Sequence, residues 1–109
     1  MATKVSTIEY IEDQLADLEG IRSQKMFGEY ALYFKDKVVA LVCDDTLFIK
    51  ITTGGKAFAL DHYEEECPYP GAKPWIMVNE DLLEEREWLT ELIEITYAEL
   101  PLPKLKKRH

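Results

Sequence analysis

The sequence predicts a two-layer α+β domain, an antiparallel meander sheet with helices on one face. Three observations predict it. Ile8, Ile11, Leu15 and Leu18 form one apolar stripe at helical spacing near the start. Between residues 21 and 51, runs rich in Tyr, Phe, Val and Ile alternate with short polar breaks spaced for antiparallel hairpins. A second helical stripe, Leu82, Leu89, Leu92, Ile93, Thr96 and Leu100, closes the chain. Antiparallel strands flanked by two amphipathic helices bury their apolar surface by stacking as two layers.

Each element has its own signal. Ser6-Thr7-Ile8-Glu9 spells a capping box, in which hydroxyl and carboxylate satisfy backbone N–H groups at a helix start. The helix it opens is expected to stop near Gly20. Breaks at Gly28-Glu29, Lys35-Asp36-Lys37 and Asp44-Asp45 delimit strands over about 22–27, 30–35, 38–43 and 46–51. The runs 31–34 and 38–42 are almost wholly apolar, so the middle of the sheet is expected to be covered in part on both faces. Gly54-Gly55 disfavours helix, which places a short helix only over 56–60. Residues 61–71 form an acidic loop ending in Pro68-Tyr69-Pro70-Gly71. Residues 74–78 form a fifth strand whose leading proline suits an edge or a strand beginning. Residues 81–100 form one long helix, stopped by the Leu-Pro-Leu-Pro of 100–103. The predicted order is α-β-β-β-β-α-β-α, one domain over 1–100 and a basic Pro/Lys-rich tail over 101–109.

A chain of 109 residues fits a single domain and buries roughly two-thirds of its unfolded surface, enough to fold without metal or disulfide. Its 47% hydrophobic and 31% charged residues belong to an ordinary globular protein. The net charge is −8. Setting aside Lys104, Lys106, Lys107 and Arg108 of the tail leaves nine of the 13 basic residues against 21 acidic ones, a body at −12. Such a body repels phosphate backbones and anionic lipid, so it is a poor nucleic-acid or membrane binder. Acids throughout the first twenty residues and the lack of a long apolar run predict neither secretion signal nor membrane span. Cys43 and Cys67, 24 residues apart, match neither a disulfide framework nor a redox CxxC pair and are expected as free thiols in a reducing cytoplasm.

Lys25-Met26-Phe27-Gly28-Glu29-Tyr30-Ala31-Leu32-Tyr33 resembles the opening signature of the TfoX/Sxy family's N-terminal domain: a basic residue, Met-Phe-Gly, then an aromatic-rich strand. Residues 36–42 resemble that family's second hairpin, 45–50 its next strand, and 68–74 the loop of its stand-alone members. The likeness spans roughly residues 5 to 107. It implies a bacterial or archaeal cytosolic protein with a secretion-chaperone-like sandwich of two layers. Two-domain members of the family regulate natural competence. Their helical second domain has no room in 109 residues, so the competence role is not carried over. The resemblance transfers no catalytic residue.

Candidate chemistry is sparse. His62, Glu64, Glu65, Glu66 and Cys67 lack the repeated paired spacing of metal ligands, and a solvated acidic turn is the better reading. Cys43 with His62 forms a catalytic dyad only if the two meet, and an apolar strand position makes a thiol inert. The paired acids Asp44-Asp45, Glu64–Glu66 and Glu84-Glu85 suit hydrated turns better than an enclosed general acid. Gly54-Gly55 alone is too little for a phosphate loop. Lys25, Met26, Phe27 and Gly28, with Lys50, Pro70, Gly71 and Lys73, are the candidate ligand or partner residues, forming a groove for a peptide or small anion if they converge; core packing is the competing reading for Met26 and Phe27. Lys104, Lys106, Lys107 and Arg108 offer weak contacts to RNA, an acidic protein or the acidic body itself, against a merely solvated end.

The expectation is a non-catalytic regulatory or protein-interaction module without cofactor or metal. The alternative is a small-molecule or anion binder, extending to an enzyme of unfamiliar type. The expected partner is another protein, and a homodimer is a default expectation because an uncovered strand face or edge favours pairing.

Overall fold

The first helix, α1 (Val5–Gln14), starts without the capping box its sequence spells. Ser6 and Glu9 are exposed, and the acceptor comes from elsewhere in the chain. Asp45 Oδ1 accepts from the Lys4 backbone N–H at 2.9 Å and from Thr7 Oγ1 at 2.8 Å. A carboxylate supplied by a distant hairpin thus replaces the local cap, and it suits the positive end of the helix dipole. The computed structural model describes residues 3–26 and 29–100, with the side chain of Met26 excepted. After α1 the chain turns, burying Leu15 and Leu18, and reaches Gly20 at φ +97°, where a Cβ would come within 2.9 Å of Lys35 Cγ and 3.3 Å of its backbone N.

Six strands follow: β1 (Ile21–Met26), β2 (Glu29–Phe34), β3 (Lys37–Cys43), β4 (Thr46–Ile49), β5 (Glu65–Glu66) and β6 (Trp75–Val78). They form one sheet in the order β1-β2-β3-β4-β6-β5, with every neighbouring pair antiparallel. The four-strand meander stands where the hairpin breaks predict it. Asp44 and Asp45 both take positive φ, 52° and 63°, which gives the two-residue β3–β4 hairpin the backbone twist its strands require. One expectation changes in the second half of the sheet, while Pro74 does stand at a strand beginning. Glu65 and Glu66, predicted within a loop, pair with β6, so β6 is an inner strand and the acidic pair forms the edge. Charged residues on a very short edge strand discourage further pairing there.

Helix α2 (Thr53–Ala59) begins three residues before its predicted start and runs through both glycines. Thr52 caps it, accepting from the Gly55 N–H at 2.9 Å. The glycines lower helix propensity, but tertiary contact overrides it. A Cβ on Gly54 would overlap the Glu99 carboxylate and come within 3.0 Å of Ile95 Cγ2, so glycine lets α2 lie close against the last helix. A single 3₁₀ turn, Leu60–His62, follows.

The predicted long C-terminal helix is two helices, α3 (Glu80–Leu83) and α4 (Arg86–Glu99), broken at Glu84-Glu85. Asn79 caps α3 by accepting from the Leu82 N–H. The Leu83 carbonyl takes its hydrogen bond from Gln14 Nε2 of α1 at 2.9 Å. The break lets Leu82 and Leu89 both enter the core.

That core lies between the helices and one face of the sheet. Ile8, Ile11 and Leu15 from the first helical segment and Leu89, Leu92 and Ile93 from α4 meet Leu32, Val42, Leu47, Ile49 and Ile76. Each such side chain contributes about 1.5–3 kcal/mol on burial. This is the α+β architecture read from the sequence.

Candidate functional site: the open sheet face

The strand pattern leaves a second apolar face. In β2, Tyr30, Leu32 and Phe34 belong to the core side, while Ala31 and Tyr33 point the other way. A bulge in the β2–β3 register, Leu32 opposite Ala40 but Tyr33 opposite Val38, inserts Val39 as an extra residue. Val39 joins the core, and Val38 turns to the open face beside Leu41 and Cys43. Phe48 of β4 and Trp75 and Met77 of β6 complete that face. No described helix packs over it. Apolar residues on both sides of the middle strands predict cover on both sides; only one side receives it among the described residues.

One row of this face, next to the β2–β3 hairpin, can be followed across the whole sheet. Arg22 pairs with Tyr33, and Tyr33 with Val38. Lys50 follows, its N–H bonded to the Val39 carbonyl at 3.0 Å. Trp75 lies beside Lys50 and pairs with Glu66 on the edge. The row reads cation, aromatic, aliphatic, cation, aromatic, anion. The Arg22 guanidinium sits 4.1 Å from the Tyr33 ring centre, and Lys50 Nζ 5.9 Å from that of Trp75. Cations held over aromatic faces keep their charge at the rim while their stems extend the apolar surface. Behind this row, Leu41 pairs with Phe48, and Phe48 with Met77. Burial pushes the Lys50 amine below its ordinary value. Burial, then the negative charges of Glu29 and Asp44, push the Cys43 thiol up, which keeps it protonated and unreactive.

The candidates named from sequence are scattered by this fold. Lys25 stands on edge strand β1, opposite Tyr30 and on the side of the sheet that Ser23 shares. Ser23 donates to Glu12 of α1, so that side is the helix side. Lys50 is three strands away and on the open face. Lys73, Pro70 and Gly71 are exposed in the loop before β6, with Gly71 at φ +88°. Lys50 and Lys73 therefore lie toward one end of the sheet, without Lys25. Met26 ends β1 opposite Glu29. Phe27, Gly28 and the tail cations Lys104, Lys106, Lys107 and Arg108 fall outside the described residues. His62 sits on the helix side, edge-on to the Trp88 ring at 6.1 Å, away from Cys43 on the open face. Among the described residues no three His, Cys, Asp or Glu side chains are grouped to hold a metal.

Arg22, Tyr33, Val38, Leu41, Trp75 and Met77 are not among the binding candidates read from the sequence, and Glu66 enters there only as part of an acidic turn. The signal for the apolar ones is alternation: in β2, β3 and β6 the residues between the core positions are themselves apolar or aromatic. The bulge hides that signal in β3, because it shifts the period by one residue.

A groove of about 480 Å³ runs along α4, bordered by Asp17, Arg86, Glu87, Glu91 and Glu94. There Arg86 Nε lies 3.8 Å from the Asp17 carboxylate, a solvent-exposed ion pair. Hydrated carboxylates on an open helix flank offer no enclosed chemistry.

The fold is an α+β domain with a six-stranded antiparallel sheet, whose one face packs on the helices and whose other face has no described helix over it. The model of the TfoX N-terminal domain matches residues 13–100 of the chain. The chain is 40% identical over 107 residues to an uncharacterized 12.7 kDa protein in the trpE 5′ region of Spirochaeta aurantia, covering 98% of this chain and 91% of that one. The chain belongs to the TfoX N-terminal domain family. None of its described helices is long and apolar enough to cross a membrane.

Proposed function

We propose that this chain is a non-catalytic regulatory module of the TfoX N-terminal type, acting in the cytoplasm by binding protein through its open sheet face. The observation that carries the reading is the half-buried set Tyr33, Val38, Leu41, Trp75 and Met77, contiguous on a face without a described helix over it. Contiguous apolar surface rimmed by charges is the common mark of a protein-interaction site. Family membership supports a regulatory role, and the two free thiols agree with a reducing compartment.

The test is genetic. Deleting the gene in its host is expected to change the abundance of a defined set of transcripts. Wild-type protein restores them, and Leu41→Lys, which plants a charge in the middle of the face, does not. Full restoration by Leu41→Lys at equal protein level overturns the reading.

A further inference from the structure

We infer that the open face is covered by the same face of a second copy of this chain, strands aligned, with β1 of each copy over β5 of the other. The inference rests on the protein-interaction reading above and names its partner.

The argument is the order of charge across the row Arg22, Tyr33, Val38, Lys50, Trp75, Glu66. A twofold axis lying between two sheets and parallel to their strands keeps each residue's position along the strand and reverses the strand order. The row then meets its own reverse. Arg22 stands opposite Glu66, Tyr33 opposite Trp75, and Val38 opposite the aliphatic stem of Lys50. Each contact occurs twice, as an isologous interface requires. A twofold axis running across the strands sets β1 on β1 and β5 on β5, and then no cation of this row meets its anion. Charge complementarity therefore selects the first arrangement, which is also the aligned packing that twisted sheets adopt. Arg22 and Glu66 are both exposed and stand on opposite edge strands, so a second copy reaches both.

The size fits a reversible contact. Six strands at about 4.8 Å spacing span about 24 Å, and three rows of side chains cover about 17 Å along the strands. Two such faces bury on the order of 1,000 Å², the lower bound for a specific interface.

Sedimentation velocity on the full chain, from about 1 to about 200 µM, tests the inference. The wild type is expected to pass from monomer to dimer in this range. Arg22→Glu and Glu66→Arg each weaken the dimer at least about tenfold by setting like charges together. The double variant R22E/E66R restores it, and Leu41→Lys abolishes it. Both reversed residues are exposed, so folding is not at stake, and far-UV circular dichroism checks this.

A wild type that stays monomeric overturns the inference. If removal of residues 101–109 then produces a dimer, the chain's own tail is the occupant of the face. A dimer indifferent to both charge reversals also overturns it, placing the contact elsewhere. A monomer whose Leu41→Lys variant still loses transcript control leaves the protein-interaction reading standing with another partner. A dimer whose Leu41→Lys variant keeps control removes that reading and leaves this one.

Discussion

Lys37 Nζ donates to the carbonyl oxygen of Leu100 at 2.6 Å, tying the first residue of β3 to the end of the last helix. The same amine donates to the Tyr97 carbonyl at 2.8 Å and lies 4.1 Å from the centre of its ring. Lys37 is only 8% exposed. It serves as a cationic cap that meets the negative end of the α4 dipole and satisfies two carbonyls the helix leaves open.

Lys37→Met keeps the aliphatic stem and removes the charge and both hydrogen bonds. Bonds to charged groups are worth about 1.5–3 kcal/mol, so urea unfolding is expected to show a loss of that order. An unchanged midpoint shows that water replaces the cap at no cost.

Asp45→Asn tests the distant cap of α1. Asparagine tolerates the positive φ of 63° at this position, so the backbone is undisturbed. The hydrogen bonds from the Lys4 N–H and then from Thr7 hold the Asp45 carboxyl below its ordinary range. A carboxyl with a depressed folded value stabilises above its unfolded pKa and loses that contribution as pH falls through the folded one. The variant is therefore expected to melt below the wild type at neutral pH. The gap should close as pH drops below about 4, the unperturbed range of Asp. A gap that persists at acid pH assigns the effect to shape rather than charge.

Tyr63 donates to Glu65, and its phenol is pushed up to about 12, first by loss of solvent, then by that hydrogen bond and the carboxylate's charge. A raised folded value stabilises below the unfolded pKa of about 10 and is lost as pH rises through the folded one. Ultraviolet titration of the folded protein should show this tyrosine ionising late, and Glu65→Gln should bring it forward. Simultaneous ionisation in both proteins removes the contact.

Gly54→Ala sets two effects against each other. Alanine gains up to about 1 kcal/mol of helix propensity. The new methyl meets the Glu99 carboxylate and Ile95, and overpacking costs about 1–3 kcal/mol. A net loss of stability is expected. In the Glu99→Ala background the carboxylate is gone, leaving only Ile95 Cγ2 at 3.0 Å, so the loss should shrink or reverse. Equal effects in both backgrounds place the strain elsewhere.

The two thiols should separate kinetically. Cys67 is exposed and Cys43 is buried with its thiol pushed up. An aromatic disulfide reagent is expected to modify one thiol rapidly in the native protein and the second only on unfolding. Two fast thiols would show that the sheet end holding Cys43 opens readily.

Much of this fold was legible in one sequence, because local patterns and local physics agree. Ile8, Ile11 and Leu15 at helical spacing, and the polar breaks at Lys35-Asp36 and Asp44-Asp45, each act within a few residues. So the meander stands where it was expected with helices on either side of it in the chain, although the first ends at Gln14 rather than near Gly20 and the last is broken at Glu84-Glu85. What tertiary structure decided are the places where a distant group replaced a local one. Asp45 supplied the α1 cap in place of Ser6 and Glu9, α4 called for glycine at the start of α2, and Gln14 took the Leu83 carbonyl where the last helix breaks. The candidate site divides the same way. Tyr33, Phe48 and Met77 are apolar in any reading, but whether an apolar strand residue faces the core or the open side depends on register. A single inserted residue, Val39, sets that register in β3. Lys25 and Lys50 look alike along the chain, yet strand order and alternation place them three strands apart on opposite faces. The β4–β6 pairing is likewise set by hydrogen bonds between segments far apart in sequence, and no local pattern encodes it.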